Sequence, residues 1–435
     1  MEGILGDMHF FEQKVWWSHW KKGLVSTTFD LRRFDAKTRP QPSHFLSDIY
    51  MFTEALKTIL QTIKMSSLVP SFRDEDVPTF KIRFDVPPPL RYIPLAYHFK
   101  DTLVKASKIP LYLGGVLSAL TLFGYYVYAS YSILLGGLIM VPFGVLTLSY
   151  WLGFVTAFFV SIFKTYTYRD EIECFANVCQ VSPTTFLFMQ FCYEWLAACT
   201  TASVKVGDRN LLFRTMDWRI PLLKNLVCKL EFYDGDRLVY TTVSFAGCVS
   251  VQTGVSVSQG WACAINCRRT VPWYFPLNLV RVWMGKKSAS YVLRHVLEKE
   301  MGYVEAIAYL TRQDYINPSY MTLFSPSDQR GIVLANGRQR GPLRTHSFDL
   351  SSPKRLVQTN HDWWDEPSVS WMQNLTASTQ RKNIILNAPS SYETCEKAIC
   401  SYFQGPVNAS STIFVCLLDP SQANDATIPF LRIPK

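Results

Sequence analysis

The chain has 435 residues, 48% of them hydrophobic, and carries a formal net charge of +10. A chain of this length can bury a large core, which favours a catalytic domain plus an accessory region over one small module. The positive charge would suit an anionic partner, either nucleic acid or an anionic membrane surface. Because the basic residues are scattered and form no dense tract or nucleic-acid motif, we expect no nucleic-acid partner and at most a bias toward a membrane surface.

The eleven cysteines all lie between Cys174 and Cys416. Their pairing cannot be deduced from the sequence of so long a chain. Three pairs of cysteines are close in sequence: Cys174/Cys179, Cys263/Cys267 and Cys395/Cys400. Their spacing is not that of zinc ligands, and the seven histidines do not cluster beside them. We therefore expect buried or unpaired thiols, no metal site and no cofactor.

The N-terminal segment does not read as a cleavable signal peptide, because no long apolar stretch follows a positive region. Its Trp, Phe, His and Lys residues suit a membrane interface, a partner helix or a plain surface helix. Charge and proline between Arg32 and Pro42 indicate a linker. Helical periodicity returns from Phe45 to Met65.

The strongest compositional signal is a run of 55 residues, Ile109 to Phe163, without Asp, Glu, Lys, Arg or His. One membrane span needs about 20 apolar residues, so the run predicts two spans joined by a tight turn near Ser130 to Gly137. Aromatic residues within the run and basic residues just outside it suit the two membrane interfaces. The alternative, two helices buried in a large soluble core, fits an unbroken apolar run of this length less well.

Beyond Lys164 the chain has the pattern of a soluble domain with short alternating segments. Six of these segments predict strands: Ala202 to Val206, Leu211 to Thr215, Leu226 to Phe232, Leu238 to Phe245, Trp261 to Asn266 and Ile413 to Leu418. Helical patterns cover Ser288 to Leu310 and Ser391 to Gln404. Strands, then helices, then strands predict a layered α+β domain whose sheets are covered by helices.

A candidate nucleophile, Cys199, stands at the entry of a predicted β-hairpin whose turn begins at Gly207. The returning strand brings Arg214 and Asp217 toward the thiol. A cationic neighbour lowers a thiol pKa, and a carboxylate can orient the group that moves the proton. Regular alternation puts Arg214 and Asp217 on opposite faces, so both serve one site only if the strand ends or bulges between them. Without further signals, a buried structural cysteine is the simpler interpretation.

The stretch from Cys199 to Trp218 resembles the start of the catalytic chain of the acid ceramidase and N-acylethanolamine-hydrolysing acid amidase family. In that family Cys-Thr-Ser begins a hairpin that returns through Arg-Asn-Met-Asp or Arg-Asn-Leu-Asp. Here the return reads Arg214-Thr215-Met216-Asp217. Further matches follow in the family's order, apart from the apolar insert: Phe80 to Pro89, Tyr193-Glu194, Ser244 to Gly247, Thr253-Gly254, Gly285 to Lys287, Asn317 to Tyr320, Gln358 to Trp363 and Arg381.

The resemblance implies a four-layer αββα N-terminal-nucleophile hydrolase fold, here with an inserted transmembrane helical hairpin. In such enzymes the chain cuts itself before the nucleophile, here between Ala198 and Cys199, and the two fragments stay associated. We accordingly divide the chain into an N-terminal extension, 1–79, a smaller-subunit-like region with the hairpin, 80–198, and a catalytic domain, 199–435. The freed α-amino group of Cys199 becomes the local base, with a reference pKa of about 7.7 to 8.0.

The resemblance also assigns roles by motif. Cys199 is the nucleophile and, through its amine, the general base; Arg214 and Asp217 position that amine and the substrate carbonyl. Asn360 donates a hydrogen bond to the oxyanion. Arg381 supports the thiol and the tetrahedral centre, although the family usually shows two adjacent arginines there. From the residues alone, a turn-forming asparagine and a surface salt-bridge arginine are the simpler interpretations.

Two departures from the family pattern stand out. Where the family has Asn-Glu-Arg or Asp-Glu-Arg, this chain has Asn266-Cys267-Arg268, so a structural carboxylate beside the site is missing. The apolar insert falls where the family's smaller subunit has soluble or membrane-touching helices. The insert would turn a peripheral enzyme into an integral one.

The combined prediction is a lipid amidase that hydrolyses ceramide or N-acylethanolamine-type fatty-acyl amides through a cysteine thioester. The rivals are a catalytically inactive membrane scaffold of the same fold and an amidase resembling penicillin or bile-salt acylases. The strand from Phe80 to Val86 must share a compartment with the catalytic sheet, which requires an even number of spans. Basic flanks place the hairpin ends in the cytosol, whereas the resemblance implies a lumenal, lysosomal enzyme. We expect a lysosomal or other endomembrane location.

Overall fold

The structure is a computed structural model. It describes residues 77–130, 133–163, 166–196, 198–218, 220–268, 275–351, 355–364, 373–404, 407, 411–422 and 427–434. The predicted linker and the predicted helix from Phe45 to Met65 lie outside these residues.

An eight-stranded sheet forms one layer of the molecule. Its strands, in spatial order, are β1 (Thr79–Arg83), β4 (Val227–Asp234), β5 (Arg237–Phe245), β6 (Thr253–Ser256), β7 (Trp261–Cys267), β8 (Ser319–Ser325), β9 (Arg330–Asn336) and β10 (Pro342–Asp349). Strand β1 pairs with β4 in parallel, and the other neighbours are antiparallel.

A six-stranded sheet carries Cys199 and forms a second layer. Its main path is β11 (Val357–Gln358), β2 (Ala198–Val206), β3 (Arg209–Asp217), β13 (Thr412–Leu418) and β14 (Phe430–Arg432), and β12 (Ser391–Tyr392) pairs with β2. Strands β2 and β3 form the predicted hairpin. Gly207 in its turn has φ +57°, a conformation that glycine adopts without steric cost.

The two sheets pack face to face between helices. Phe245 of the large sheet contacts Phe414 of the smaller one, with 6.0 Å between ring centroids. On the other face of the smaller sheet, helices α10 (Gln373–Asn387) and α11 (Cys395–Tyr402) pack against apolar residues of β2, β3 and β13. Helices α8 (Ala289–Glu298) and α9 (Tyr303–Thr311) cover the large sheet, where Arg294 lies over the ring of Phe232. The predicted layered α+β architecture is therefore confirmed.

The predicted helix from Ser288 to Leu310 is two helices, α8 and α9. The chain leaves the helical conformation at Glu300, which has φ +49°, and Gly302 then forms the N-cap of α9. The predicted helix from Ser391 begins as strand β12. Thr394 caps α11 by accepting a hydrogen bond from the Lys397 amide at 3.2 Å, so the helix starts later than its periodicity indicates.

The apolar run folds as a pair of long helices, α3 (Ile109–Ser130) and α4 (Ile133–Phe163), broken close to the predicted turn. The candidate spans within this region are Lys100–Tyr125 and Ile139–Val160, by length and composition. The helices meet through a 2.8 Å hydrogen bond between the hydroxyls of Thr121 and Thr147. Large apolar side chains on their outer surface, such as Leu122 and Leu148, are 67% and 71% exposed. A membrane crossing by this pair stays a prediction.

Five further helices complete the described fold: α1 (Ile93–His98), α2 (Lys100–Ser107), α5 (Arg169–Cys179), α6 (Pro183–Leu196) and α7 (Phe275–Trp283). Helix α6 ends one residue before β2 begins. It packs against α4, where the ring centroid of Phe188 lies 5.2 Å from that of Tyr150 and 5.3 Å from that of Phe154. The helix that leads into Cys199 is thus joined to the apolar pair.

Candidate active site

Cys199 lies at the second position of β2 and is 0% exposed. Arg214 Nη2 donates a hydrogen bond to Cys199 Sγ at 3.0 Å. The sulfur also contacts Met216 Sδ at 3.7 Å. The guanidinium is thus a cationic hydrogen-bond donor to the sulfur. The cationic neighbour predicted for the thiol is therefore in place.

Arg214 is held in its position by groups from both sheets. Nη2 donates to the Ile265 carbonyl at 2.6 Å. Nη1 donates to Thr201 Oγ1 at 3.1 Å and to Asn266 Oδ1. Because the guanidinium is fully buried and its direction is fixed by oxygen acceptors, its charge stays directed at the sulfur.

Arg214 and Asp217 lie on opposite faces of β3, as strand alternation requires. The pairing of β2 with β3 is regular, from Ala198 opposite Asp217 to Val206 opposite Arg209. On the other side of β3, the pairing with β13 shifts register between Met216 and Asp217, and Asp217 is the last residue of β3. Arg214 reaches the sulfur from the face that packs on the large sheet. Asp217 lies on the face covered by α10, where it accepts a hydrogen bond from Arg381. Strand β3 thus ends at Asp217, as the sequence argument required for both residues to serve one site.

Arg381, on helix α10, connects Asp217 with the backbone around the nucleophile. Its Nη1 donates to Asp217 Oδ2 at 2.8 Å, to the Cys199 carbonyl at 3.0 Å and to Thr200 Oγ1 at 2.9 Å. Its Nη2 donates to Asn360 Oδ1 at 2.8 Å. The side chains of Arg381 and Asp217 are only 6% and 4% exposed, which makes this a buried ion pair. A surface salt bridge, the simpler interpretation of Arg381, does not describe it.

Asn360 follows β11 and holds the amide of the nucleophile. Its Oδ1 accepts a hydrogen bond from Cys199 N at 2.8 Å, and its Nδ2 donates to the Cys267 carbonyl at 2.8 Å. The loop thus places Asn360 beside the candidate nucleophile, as predicted. Its role as donor to an oxyanion stays a prediction, because in this uncut chain Oδ1 faces the cysteine amide.

Asn266 is a site residue that the motif reading did not assign a role. Its Oδ1 accepts from Thr201 Oγ1 at 2.7 Å and from Arg214, while its Nδ2 donates to the Gln358 carbonyl at 2.9 Å. The alternation of side chains along β7 could have indicated this role, because it turns the Asn266 side chain toward the smaller sheet. Asn266 therefore links Arg214 to the strand that leads into Asn360.

The neighbouring Arg268 is paired with a carboxylate from the loop after Asn360. Its Nε donates to Asp362 Oδ1 at 2.6 Å, and Tyr320 donates its hydroxyl to the same oxygen at 2.5 Å. Burial and the Asp362 charge raise the pKa of Tyr320, so its hydroxyl stays protonated and remains a donor. The position of Cys267 carries no carboxylate, but Asp362 supplies one to the arginine beside it.

Comparisons with known proteins identify relatives of the chain. Acid ceramidase of Heterocephalus glaber is 28% identical over 222 residues, which cover 46% of this chain and 55% of the relative. The N-acylethanolamine-hydrolyzing acid amidase of Mus musculus is 21% identical over 278 residues, 63% of this chain and 75% of the relative. An uncharacterised protein of Acanthamoeba polyphaga mimivirus is 27% identical over 256 residues, 57% of this chain and 76% of the relative.

The matched segment spans about half the length of the Heterocephalus glaber acid ceramidase, 55%. No family model matches the chain. A solved structure, the N-acylethanolamine-hydrolyzing acid amidase ortholog of Caenorhabditis elegans, is matched over 55% of this chain and all of its own, at 19% identity and a TM-score of 0.45. The predicted resemblance to this group of amide hydrolases is confirmed by the sequence relatives.

Proposed function

We propose that this relative of the acid ceramidase and N-acylethanolamine-hydrolysing acid amidase family is a cysteine amide hydrolase of the N-terminal-nucleophile type. One observation carries the proposal. The Cys199 sulfur receives a hydrogen bond from a buried arginine, while the amide and carbonyl of the same residue are bound by Asn360 and Arg381. Buried backbone groups need partners in any protein, so the contact that distinguishes a nucleophile from a structural thiol is the guanidinium on the sulfur.

The first reaction is self-cleavage between Ala198 and Cys199. The Cys199 thiol gives up its proton as the sulfur attacks the Ala198 carbonyl carbon, the C–N bond breaks, and the leaving nitrogen takes that proton to become the α-amino group. Water then hydrolyses the resulting thioester to give the Ala198 carboxylate and restore the thiol. Arg214 supports the thiolate, and Asn360 Oδ1 holds the nitrogen that leaves.

Turnover repeats the same bond changes on a substrate. The α-amine of Cys199 accepts the thiol proton, and the sulfur attacks the acyl amide carbonyl. The amine product leaves with that proton, and water hydrolyses the thioester to release the fatty acid. Asn360 donates its second amide hydrogen to the oxyanion, and Asp217 acts through Arg381 to hold the Cys199 backbone.

The substrates that we propose are fatty-acyl amides of the ceramide or N-acylethanolamine type, taken from a membrane. The exposed apolar surface of α3 and α4 supports membrane attachment. Strand β1 precedes this helix pair and its partner β4 follows it, so a pair that crosses a membrane would need both of its ends on the same side. A lysosomal or other endomembrane location fits this arrangement and the family.

The two fragments produced by the cut, one that ends with the 80–198 region and one that comprises 199–435, are proposed to stay associated without a covalent link. No disulfide joins any two of the cysteine side chains that the structure describes. Strand β1 is hydrogen-bonded into the large sheet beside β4. Glu171 of the first fragment receives two hydrogen bonds from Arg294 of the second, at 2.5 and 2.8 Å, in a buried ion pair. The smaller fragment therefore completes both a sheet and an ionic cluster.

The decisive experiment is the N-terminal sequence and mass of the fragments from detergent-solubilised protein, followed by assays on ceramides and N-acylethanolamines. The expected result is a new chain that begins at Cys199 and hydrolyses such amides. Cys199→Ala should abolish both cleavage and turnover. The matched control is Cys416→Ala, since Cys416 is also buried beside Arg214 but burial raises the pKa of its thiol to about 12.

Turnover by Cys199→Ala would rule the scheme out. An uncut wild-type chain without activity, at both acidic and neutral pH, would instead favour the inactive scaffold.

A further inference from the structure

Helix α10 places a lysine beside the loop that carries Asn360. Lys382 follows Arg381, whose side chain binds the backbone carbonyl of the nucleophile. Lys382 also lies one turn after Ser378 on the same face of the helix. Ser378 Oγ is 2.7 Å from Nδ1 of His361, the residue that follows Asn360. Lys382 and His361 therefore each stand one residue away from a side chain that contacts the backbone of the nucleophile.

The last strand of the large sheet adds two basic residues to this region. Arg344 and His346 alternate along β10, so they share one face of the sheet. The ring centroid of His346 lies 5.3 Å from that of Trp363, and the Arg344 guanidinium lies 4.8 Å from the centre of the Trp364 ring. Both tryptophans belong to the loop after Asn360. The strand thus contacts this loop from the side opposite its anchor on α10.

Four residues, Lys382, His361, His346 and Arg344, form what we call the basic cluster. In the part of the chain that the structure describes, no carboxylate pairs with Lys382 or Arg344. Burial lowers the pKa of Lys382, and no carboxylate raises it. The Lys382 charge in turn lowers the pKa of both histidines. A half-buried lysine among basic neighbours is costly, and a bound anion would offset that cost.

The carboxylates of the loop and of the catalytic site are already bound by other residues. Asp362 accepts hydrogen bonds from Arg268 and Tyr320. Asp217 is paired with Arg381. Neither carboxylate is therefore left to neutralise Lys382, so the counter-charge has to come from a ligand.

The chemistry of the basic cluster indicates what such a ligand carries. An ammonium and a guanidinium bind a carboxylate, and an imidazole N–H can donate a further hydrogen bond to it. A fatty-acyl chain has no charge. An anion beside the reacting bond of a fatty-acyl amide therefore belongs to the amine portion of the substrate.

We propose that the basic cluster binds a carboxylate on the amine portion of the substrate, and that the enzyme accordingly hydrolyses N-acyl amino acids. This inference rests on the proposed function of Cys199 and specifies its substrate class. Lys382 and Arg344 supply the charge, and the rings of Trp363 and Trp364 border the same region with apolar surface.

The test compares two soluble substrates that differ in one group. N-decanoylglycine has a carboxylate where N-decanoylethanolamine has a hydroxymethyl group. Full-length cleaved enzyme is assayed in neutral detergent without anionic lipid. For Lys382→Met, we expect the ratio of kcat/KM for the glycine amide to that for the ethanolamide to fall at least about tenfold, mainly through KM of the glycine amide. Arg344→Met should lower this ratio about threefold, because its side chain is more exposed.

The matched control is Lys397→Met, which should keep the ratio within about twofold of wild type. Lys397 lies on the neighbouring helix α11, is 61% exposed and pairs with Glu393. Equal ratios in wild type and Lys382→Met would overturn the inference, and so would a wild type that cleaves the ethanolamide but not the glycine amide. A loss for Lys382→Met that appears only with substrate in phosphatidylserine vesicles would also overturn it, since the cations would then serve an anionic membrane surface. Failure of the proposed function looks different, because wild type would then hydrolyse neither substrate.

A second arm tests the basic cluster without catalysis. In uncut Cys199→Ala protein labelled with ¹⁵N-histidine, Lys382→Met should raise the titration midpoints of His346 and His361, because each ring loses a positive neighbour. Unchanged midpoints would refute the placement of Lys382 between the two rings.

Discussion

The buried pair of Arg381 and Asp217 gives the sharpest test of how the site is held together. We predict that Arg381→Met, made in uncut Cys199→Ala protein, lowers the free energy of unfolding by about 3–5 kcal/mol. Removing one partner of a buried ion pair leaves the other charge desolvated, and both side chains here are at most 6% exposed. The variant also removes hydrogen bonds to the Cys199 carbonyl and to Asn360 Oδ1.

The double variant separates this charge effect from general damage to the core. Asp217→Asn in the Arg381→Met background removes the unpaired carboxylate, so we expect the double variant to be more stable than the sum of the single losses predicts, by about 1–3 kcal/mol. The assay is chemical denaturation followed by tryptophan fluorescence and circular dichroism. The control is Arg237→Met, because the Arg237–Glu300 pair has side chains that are 52% and 25% exposed, and such a pair contributes about 0–1 kcal/mol. A loss for Arg381→Met no larger than that of the control, or strict additivity in the double variant, would refute the reasoning.

Arg214→Lys should slow self-cleavage by at least about tenfold, because one ammonium cannot replace the guanidinium that contacts both the sulfur and its oxygen acceptors. Unchanged cleavage kinetics would contradict the role of Arg214. In the apolar helix pair, Gly124→Leu should disrupt α3–α4 packing, since a Cβ at Gly124 would lie 2.7 Å from the backbone nitrogen of Met140. Gly115 is the control position, because a Cβ there meets nothing within 4 Å. Protease susceptibility in detergent should therefore rise for Gly124→Leu and not for Gly115→Leu; equal behaviour would show that close contact at Gly124 is unimportant.

The local features of the fold were predictable from the sequence because they depend on near neighbours. The hairpin after Cys199 follows from alternation and a turn that needs a glycine. The apolar pair follows from composition alone. Errors occurred where one residue changes the path, as at Glu300, whose left-handed conformation divides a single helical pattern into α8 and α9.

The site was harder to predict because its contacts join distant segments. The family resemblance selected Asn360 and Arg381, but no local pattern shows that one guanidinium contacts Asp217, the Cys199 backbone and Asn360 together. Asn266 received no role, since its partners lie on another sheet. The alternation argument about β3 placed Arg214 and Asp217 on the correct faces, and β3 ends at Asp217 as that argument required. Residues on both faces of β3 can act on one site because Cys199 is held from both sides. Arg214 binds its side chain on one face, and Arg381 binds its backbone carbonyl on the other.

This two-sided hold on Cys199 suits both reactions of the proposed function. In the uncut chain, Asn360 Oδ1 accepts from the Cys199 amide, the group that leaves Ala198. After the cut the same nitrogen is an amine, which can still donate to Oδ1 while its lone pair accepts the thiol proton. Arg214 stays on the sulfur face and Arg381 on the backbone face, so the departure of the upstream residue need not disturb either contact. Under the proposed function, a substrate carbonyl would occupy the position that the Ala198 carbonyl has in the uncut chain.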